Sequence, residues 1–225
     1  MALKLHELHP PLIHAPLVLL TAAAAVDLVA AQTYRPSTER LGAKLWWWGA
    51  GAGLVAGLAG MAASQEVKGG DPKVDDAMYL HGIGNLGLVI AAAGMAIFRS
   101  RSRPSVTSAT IGLAACGAAI YTAYLGGELV YGSGVGVKEM SEKAKSGVQP
   151  GVPNLFSAEA PLRLLADAAK GLAWLLGRTV ELLRGEKPLE KGALKGGETS
   201  VVPGPMTKMS PGKGQGDLLT PPIPH

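Results

Sequence analysis

The sequence has one cysteine, Cys116, which lies inside an apolar run. A chain with a single cysteine cannot form an internal disulfide. It also cannot carry a CxxC motif or the CxxCH motif that attaches c-type haem covalently. Any redox or metal chemistry of this chain must therefore come from other side chains.

Charged and aromatic residues are scarce as well. Only 17% of the 225 residues are charged and 5% are aromatic, whereas a soluble domain carries about 25% charged residues. Hydrophobic residues make up 48% of the chain, and there are 31 glycines. This composition is typical of membrane helices that pack closely through small residues. The net charge of +4 comes without a basic cluster, so we exclude a nucleic-acid-binding protein.

Four apolar segments are long enough to cross a bilayer, which takes about 20 helical residues. Short polar connections between them predict antiparallel neighbours. We therefore predict an all-α protein with a four-transmembrane-helix bundle, an amphipathic surface helix and an extended C-terminal tail. The predicted spans are Leu12–Ala31, Leu45–Ser64, Ala77–Phe98 and Val106–Val130.

The composition changes after the fourth span, which divides the chain into three predicted parts. Residues 1–138 form the four-helix transmembrane domain. Residues 139–184 contain a loop and an amphipathic helix, in which charged residues interrupt the leucines too often for a span. We expect this helix on the membrane surface or on a partner. Residues 185–225 are rich in Pro, Gly and Lys and predict an extended tail without structure of its own.

Basic residues in the short loops predict the orientation in the membrane. The second loop mixes lysines with several carboxylates, whereas the first and third loops are mainly basic. We therefore place the first and third loops in the cytoplasm of a bacterium with an inner membrane. The N-terminus and the C-terminal tail then face the periplasm. The basic residues of the first and third loops are Arg35, Arg40, Lys44, Arg99, Arg101 and Arg103.

Two histidines give the sharpest functional signal. His14 lies about one helical turn inside the first span, and His81 lies about one turn inside the third. The first and third helices of a four-helix bundle commonly lie diagonally across the core. Two imidazoles at equal depth across a core are the arrangement of a b-type haem with one imidazole on each axial face. We predict His14 and His81 as the iron ligands; the alternative is that each only reaches interfacial water.

Three further residues are predicted to support this site. His9 lies on a different helix face from His14 and could meet a haem propionate, act as the second ligand or cap the helix. Asn85 lies one turn below His81 and could hold a polar partner or form an interhelical hydrogen bond worth about 1 kcal/mol. Glu128 could accept the free ring N–H of a histidine, or it could be an interfacial carboxylate in water.

Other patterns bear on packing. We expect Asp27, near the inner end of the first span, to pair with Arg99 or Lys44, and three consecutive tryptophans from Trp46 to form an interfacial belt. Rows of small residues favour close helix packing, although a flat cofactor also needs small neighbours. The rows comprise Gly49, Gly53 and Gly57 on the second span, and Ala115, Ala119, Ala123 and Gly127 on the fourth.

The two ends of the transmembrane region resemble a known family. HPPLIHAPLVLL is similar to the HPxxxHxPxxL opening, and LGGELVYGSGVGV to the LGGxLVY–GVGV ending, of the bacterial membrane-protein family called domain of unknown function 2231. The resemblance covers about residues 5 to 138 and implies a four-helix membrane domain. Members can occur beside or fused to c-type cytochrome modules, which implies a redox role. Members often read YRHGVGV where this chain has Ser133, so any role of that histidine is absent here.

We therefore expect a membrane subunit that carries one bis-histidine haem b near the periplasmic face. It would pass electrons within a larger redox complex, respiratory or photosynthetic, and the sequence favours a non-catalytic subunit over an enzyme. With both axial positions filled, the iron would transfer electrons rather than bind O₂. Expected partners are lipid, other subunits, and a quinol or c-type cytochrome. The alternative is a haem-free accessory subunit whose bundle anchors a larger membrane complex.

Overall fold

The computed structural model describes residues 4–68, 71–136, 147–148 and 153–193, and it is almost entirely helical. The predicted all-α class is confirmed. A 3₁₀ turn, Leu5–Leu8, precedes the first helix, and a π-helical turn, Glu128–Gly132, continues the fifth. The α-helices of the described part are α1 (His9–Leu12), α2 (His14–Thr33), α3 (Pro36–Glu66), α4 (Pro72–Arg101), α5 (Val106–Gly127) and α6 (Ala160–Leu183).

The predicted number of membrane spans is confirmed for the described residues, but the helices are longer than their apolar cores. Pro36 and Pro72 each open a helix at residues that we had predicted as polar connection. Proline fits the first helical turn, where its missing N–H needs no partner. Four stretches are long and apolar enough to cross a membrane: Leu5–Thr33, Pro36–Glu66, Pro72–Arg101 and Val106–Gly132.

The long helices form a ring in which α2 packs on α3, α3 on α4, α4 on α5, and α5 again on α2. Helices α2 and α4 are therefore diagonal, as we predicted for the first and third spans. We call the end of the ring that contains His9 the outer end, and the opposite end the inner end. A tight cluster fills the inner half of the ring, and it consists of Ala23, Ala24, Trp46, Ala96 and Cys116.

A buried ion pair crosses the inner end. The Nε of Arg99 donates a hydrogen bond of 2.7 Å to Oδ2 of Asp27, and Nε1 of Trp46 donates another of 2.8 Å to the same oxygen. The structure thus contains the pair Asp27–Arg99 that we predicted as one of two options. Trp46 is buried instead of lying in an interfacial belt, while Trp47 and Trp48 are exposed.

Helix α6 packs across the outer ends of α3 and α4 rather than standing apart on the membrane surface. At the crossing, a Cβ on Gly171 would clash with the backbone carbonyl of Met61. Near the end of α6, Nη2 of Arg178 donates a 2.8 Å hydrogen bond to Oδ1 of Asp76, and both side chains are buried. The face of α6 that docks on the bundle is therefore built from small and charged residues, while most of its leucines stay exposed.

Connecting segments close the outer end. Strand β1, Val67–Lys68, pairs antiparallel with β2, Gly147–Val148. The backbone N–H of Leu5 donates to the carbonyl of Pro153 at 3.2 Å, which ties the N-terminal turn to the segment before α6. The rest of the predicted loop, 139–146 and 149–152, lies outside the described residues.

The beginning of the predicted C-terminal tail is also in contact with the bundle. The backbone N–H of Glu190 donates a 2.8 Å hydrogen bond to Oδ2 of Asp76. The carbonyl of Lys187 accepts a 2.7 Å hydrogen bond from Arg178. The first residues of the predicted tail therefore form hydrogen bonds with both members of the Arg178–Asp76 ion pair. Residues 194–225 of the predicted tail lie outside the described part of the chain.

Replacing Gly171 by valine is expected to loosen α6 from the bundle. The new side chain would meet the Met61 backbone, and overpacking of this kind costs about 1–3 kcal/mol. Trypsin should then cut at Arg163 and Lys170, both within α6, about tenfold faster. Gly177→Val on the same helix is the matched control, because a Cβ there meets nothing within 4 Å. Equal cleavage rates for the two variants would contradict close docking at Gly171.

Candidate functional site

His9 and His81 face one another in the outer half of the ring. Their ring centroids are 6.2 Å apart, and the ring planes are nearly perpendicular at 82°. His9 is the first residue of α1, and His81 lies in α4, so the pair spans the core between diagonal helices. Both rings are half-buried. The structure therefore brings together two imidazoles that are 72 positions apart in the printed sequence.

Both imidazoles are held in the same way. Nδ1 of His9 lies 2.9 Å from the carbonyl oxygen of Ala56, and Nδ1 of His81 lies 2.8 Å from that of Thr122. A carbonyl oxygen only accepts hydrogen bonds, so Nδ1 carries the hydrogen on each ring. Nε2 of each ring is then left with its lone pair. In metal-binding histidines, the ring nitrogen that does not bind the metal commonly donates its N–H to a carbonyl in this way.

Asn85 ties His81 to the neighbouring helix. Its Nδ2 donates a 2.8 Å hydrogen bond to the backbone carbonyl of His81, and its Oδ1 accepts a 3.1 Å hydrogen bond from Oγ1 of Thr122. The same Nδ2 lies 3.3 Å from Nε2 of His81. Asn85 therefore makes the interhelical hydrogen bond that was the alternative role for it, and its Nδ2 is also within hydrogen-bonding distance of Nε2 of His81. Sequence reasoning missed Thr122, because a lone threonine in a span usually bonds only its own helix.

Glycines give the two imidazoles their space. A Cβ on Gly60 would lie 2.8 Å from Cε1 of His9, and a Cβ on Gly126 would lie 2.8 Å from Cε1 of His81. At Gly57, in contrast, a Cβ would meet nothing within 4 Å. Gly60 and Gly126 therefore make room for the two imidazole rings, whereas Gly57 borders open space. Spacing along the chain did not single out Gly60 or Gly126 as site residues.

Two adjoining cavities share this histidine pair. The outer cavity has a volume of about 500 Å³ and the inner one about 160 Å³. Ligand sites in proteins are typically about 300–1,000 Å³ and mostly apolar. Rows of small residues that we had assigned to helix packing line these cavities as well. Both cavities are lined by His9, His81, Asn85, Gly53, Gly57 and Ala123, among others.

His14 does not occupy the position opposite His81. It is exposed at the rim of the outer cavity, and its Nδ1 lies 3.3 Å from the carbonyl of Pro11 in the same turn. The predicted depth of His14 assumed that the first helix starts at Pro10, but helical structure already begins at the 3₁₀ turn Leu5–Leu8. His9 therefore lies within the bundle. Five residues turn a helix by about 140°, so His9 and His14 cannot both face the core.

A model of the family described as predicted membrane protein (DUF2231) matches residues 5–139. This range is more than half of the 225 residues. The chain belongs to this family. The matched region begins at the 3₁₀ turn and ends beyond the π-helical turn, so it contains both facing histidines. No curated protein and no solved structure matches the chain.

The part of the chain outside the DUF2231 region completes the outer cavity. Trp174 and Leu175 of α6 line this cavity together with residues of the spans. A Cβ on Gly82 would lie 2.9 Å from the side chain of Leu175, which shows how closely α6 approaches α4. The candidate site is therefore built jointly by the DUF2231 region and the helix that follows it.

Glu128 opens the π-helical turn at the end of the DUF2231 region and is half-buried. The sequence left two roles for it, either orienting a histidine by accepting a ring N–H or lying at the interface as a carboxylate in water. In the structure, the Nδ1–H of His81 is directed to Thr122 and that of His9 to Ala56. Backbone carbonyls thus hold both rings in place of a carboxylate.

Proposed function

We propose that this membrane protein holds one b-type haem between His9 and His81 and passes electrons through it. The observation that carries the proposal is the facing pair of imidazoles, each oriented by its Nδ1 hydrogen bond. His9 and His81 would hold the haem through their Nε2 atoms. We propose that the outer end, where the site lies, faces the periplasm of a bacterial inner membrane, which the distribution of basic residues in the loops favours.

The geometry of the pair supports a haem. An iron with an imidazole nitrogen about 2 Å away on each face holds the ring centroids roughly 6 Å apart. The observed centroid distance is 6.2 Å. Among the described residues, no three His, Cys, Asp or Glu side chains are grouped so that they could hold a bare metal ion. Two protein ligands suffice for haem, because the porphyrin supplies the other four.

The cavity supports the same ligand. Its walls are mostly apolar, and the small side chains of Gly53, Gly57 and Ala123 leave room beside the imidazoles. A flat macrocycle needs such neighbours on both of its faces. The exposed polar residues of the cavity lining lie at the outer end and include Glu7 and His14. The carboxylates of a haem would point to this end, where water is near.

The chain's own residues set what the haem can do. A bound haem supplies one-electron transfer. The carbonyls of Ala56 and Thr122 orient the two imidazole rings. If both imidazoles hold the haem, it would favour electron transfer over O₂ binding. We propose a quinol or a c-type cytochrome as the redox partner, within a larger respiratory or photosynthetic complex.

A second candidate function is a haem-free accessory subunit of a membrane complex. One observation favours it: α6 exposes a row of apolar side chains although its other face is already docked on the bundle. Such a row can pack on lipid or on a neighbouring subunit. The row consists of Leu162, Leu165, Leu172, Leu176, Val180 and Leu183.

A visible absorption spectrum tests the proposal directly. The protein is produced in cells with ample haem supply, purified in detergent, and measured oxidised and then reduced with dithionite. We expect a sharp α band and a shifted Soret band in the reduced protein, the signature of a six-coordinate b-type haem. A featureless spectrum of folded protein would overturn the haem proposal and leave the accessory role.

Replacing Gly126 by alanine is expected to weaken haem binding. The new Cβ would lie 2.8 Å from Cε1 of His81, so the ring must move away from its position opposite His9. Overpacking of about 1–3 kcal/mol corresponds to roughly a tenfold loss of haem affinity. Gly117→Ala, on the same helix, is the control, because a Cβ there meets nothing within 4 Å. Haem titration of both apoproteins measures the difference, and equal affinities would speak against ligation by His81.

A further inference from the structure

Glu66, the last residue of α3, is a buried carboxyl group near the backbone N–H of His6. Its side chain is 1% exposed, and neither carboxyl oxygen has a partner within hydrogen-bonding geometry in the described part of the chain. Burying a bare carboxylate is costly, and such groups are rare in folded proteins. Ionisable residues kept at this cost in membrane proteins commonly have a function.

The side chain of His6 lies beside Glu66. Nδ1 of His6 lies 3.8 Å from Oε2 of Glu66, and the His6 side chain is only 6% exposed. The backbone of Gly136 lies near the imidazole, but Nδ1 has no partner within hydrogen-bonding geometry among the described residues. The gap between Nδ1 and Oε2 is too long for a direct hydrogen bond. With one proton between them, the two groups form either a neutral pair or an ion pair, and both states avoid a lone buried charge.

The surroundings of the pair limit how many charges it can carry. Asp167 of α6 faces Glu66, and its negative charge opposes a second one there. Asp167 is itself paired with Arg163 at 2.5 Å and with Lys170 at 2.9 Å. From the N-terminal turn, Lys4 and Glu7 act on His6 with opposite signs. The charged groups packed around the pair are therefore Lys4, Glu7, Arg163, Asp167 and Lys170.

One member of the pair, His6, lies on the wall of the proposed haem cavity. His6 lines the outer cavity together with His9, and the two are three residues apart across the 3₁₀ turn. Val67, which follows Glu66, lines the same cavity. An electron arriving in an apolar cavity adds negative charge, and a nearby protonatable pair then binds a proton more tightly.

We propose that His6 and Glu66 form a proton-binding site that is coupled to the electron on the proposed haem. This inference rests on the proposed function, because the haem carries the electron. On reduction, one electron comes from the redox partner and one proton comes from the aqueous phase at the outer end. On reoxidation, the electron leaves to an acceptor and the same proton returns to that aqueous phase. Because each electron is accompanied by one proton, the net charge of the cavity and its wall is the same in the oxidised and the reduced protein.

Potentiometric titration of the haem-loaded, full-length protein at a series of pH values tests the coupling. In the unaltered protein, the midpoint potential should fall by about 59 mV for each tenfold decrease in proton concentration within the titrating range. The sign follows because the reduced form binds the proton more tightly, so a higher pH favours the oxidised form. Glu66→Gln, which keeps the shape of the side chain, should flatten this dependence.

Two further variants make the test specific. His6→Asn removes the other half of the pair and should also flatten the dependence, which covers the case that Glu66→Gln does not fold. Glu159→Gln removes an exposed carboxylate before α6 and should keep the slope of the unaltered protein. If Glu66→Gln binds haem and its midpoint potential changes with pH as steeply as that of the unaltered protein, the proton site alone would be overturned. Absence of haem from the unaltered protein would overturn both this inference and the proposed function.

Discussion

Replacing His9 or His81 by alanine is expected to empty the protein of haem, while replacing His14 by alanine leaves it loaded. His9 and His81 face each other at 6.2 Å between ring centroids, whereas His14 is exposed and turned to its own helical turn. Loss of a residue that only supports a metal ligand already costs about 10–100-fold in affinity. Loss of an axial ligand should cost at least that much. The ratio of Soret to protein absorbance after detergent purification measures the haem content.

His14→Ala is the matched control for this experiment. It removes the same side chain five positions along the same span, but from the rim of the cavity. If His14→Ala lost its haem and His9→Ala kept it, the iron ligands would be His14 and His81, as predicted from the sequence alone. Full haem content in both His9→Ala and His81→Ala would contradict ligation by the facing pair. The unfolding temperature of each apoprotein separates loss of haem from loss of fold.

Replacing Asp27 by alanine is expected to destabilise the protein by about 3–5 kcal/mol, the usual effect of leaving one partner of a buried ion pair alone. Arg99 would remain buried with its charge unpaired, since its side chain is only 2% exposed. The indole N–H of Trp46 would lose its acceptor as well. Thermal unfolding in detergent, followed by circular dichroism, measures the change.

Two controls define the origin of this loss. Removing both charges together, with Asp27→Leu and Arg99→Met, should restore much of the stability, because apolar pairs often replace buried ion pairs without loss. Glu39→Ala breaks the exposed contact with Arg103 at the same end and should have little effect. An Asp27→Ala protein that unfolds at the temperature of the unaltered protein would show that the buried pair does not stabilise the bundle.

Several features could be predicted from the sequence because they depend on local composition. An apolar run of about 20 residues predicts a span wherever it packs. A charged residue within such a run needs a partner, which pointed to Asp27 and Arg99. The opening and closing motifs carried the resemblance to the family, and the family match bears it out.

Contacts between distant segments could not be predicted in this way. Thr122 and Ala56 contribute backbone carbonyls, which every residue has, so no residue type marks them. Helix α6 was recognised by its leucines, yet it docks through Gly171 and Arg178. Close approach depends on which small residue meets which backbone, and that depends on how two helices cross.

The sequence by itself determined a four-span helical membrane protein of a recognisable family, because length, apolarity and motif are properties of a single segment. Only the tertiary structure decided that His9, and not His14, faces His81. The rotation of a helix depends on where it starts, and the first helix starts at a turn that is tied to the segment before α6. Only the folded chain also brings His6 to Glu66, because their meeting depends on the packing of separate elements rather than on either segment alone.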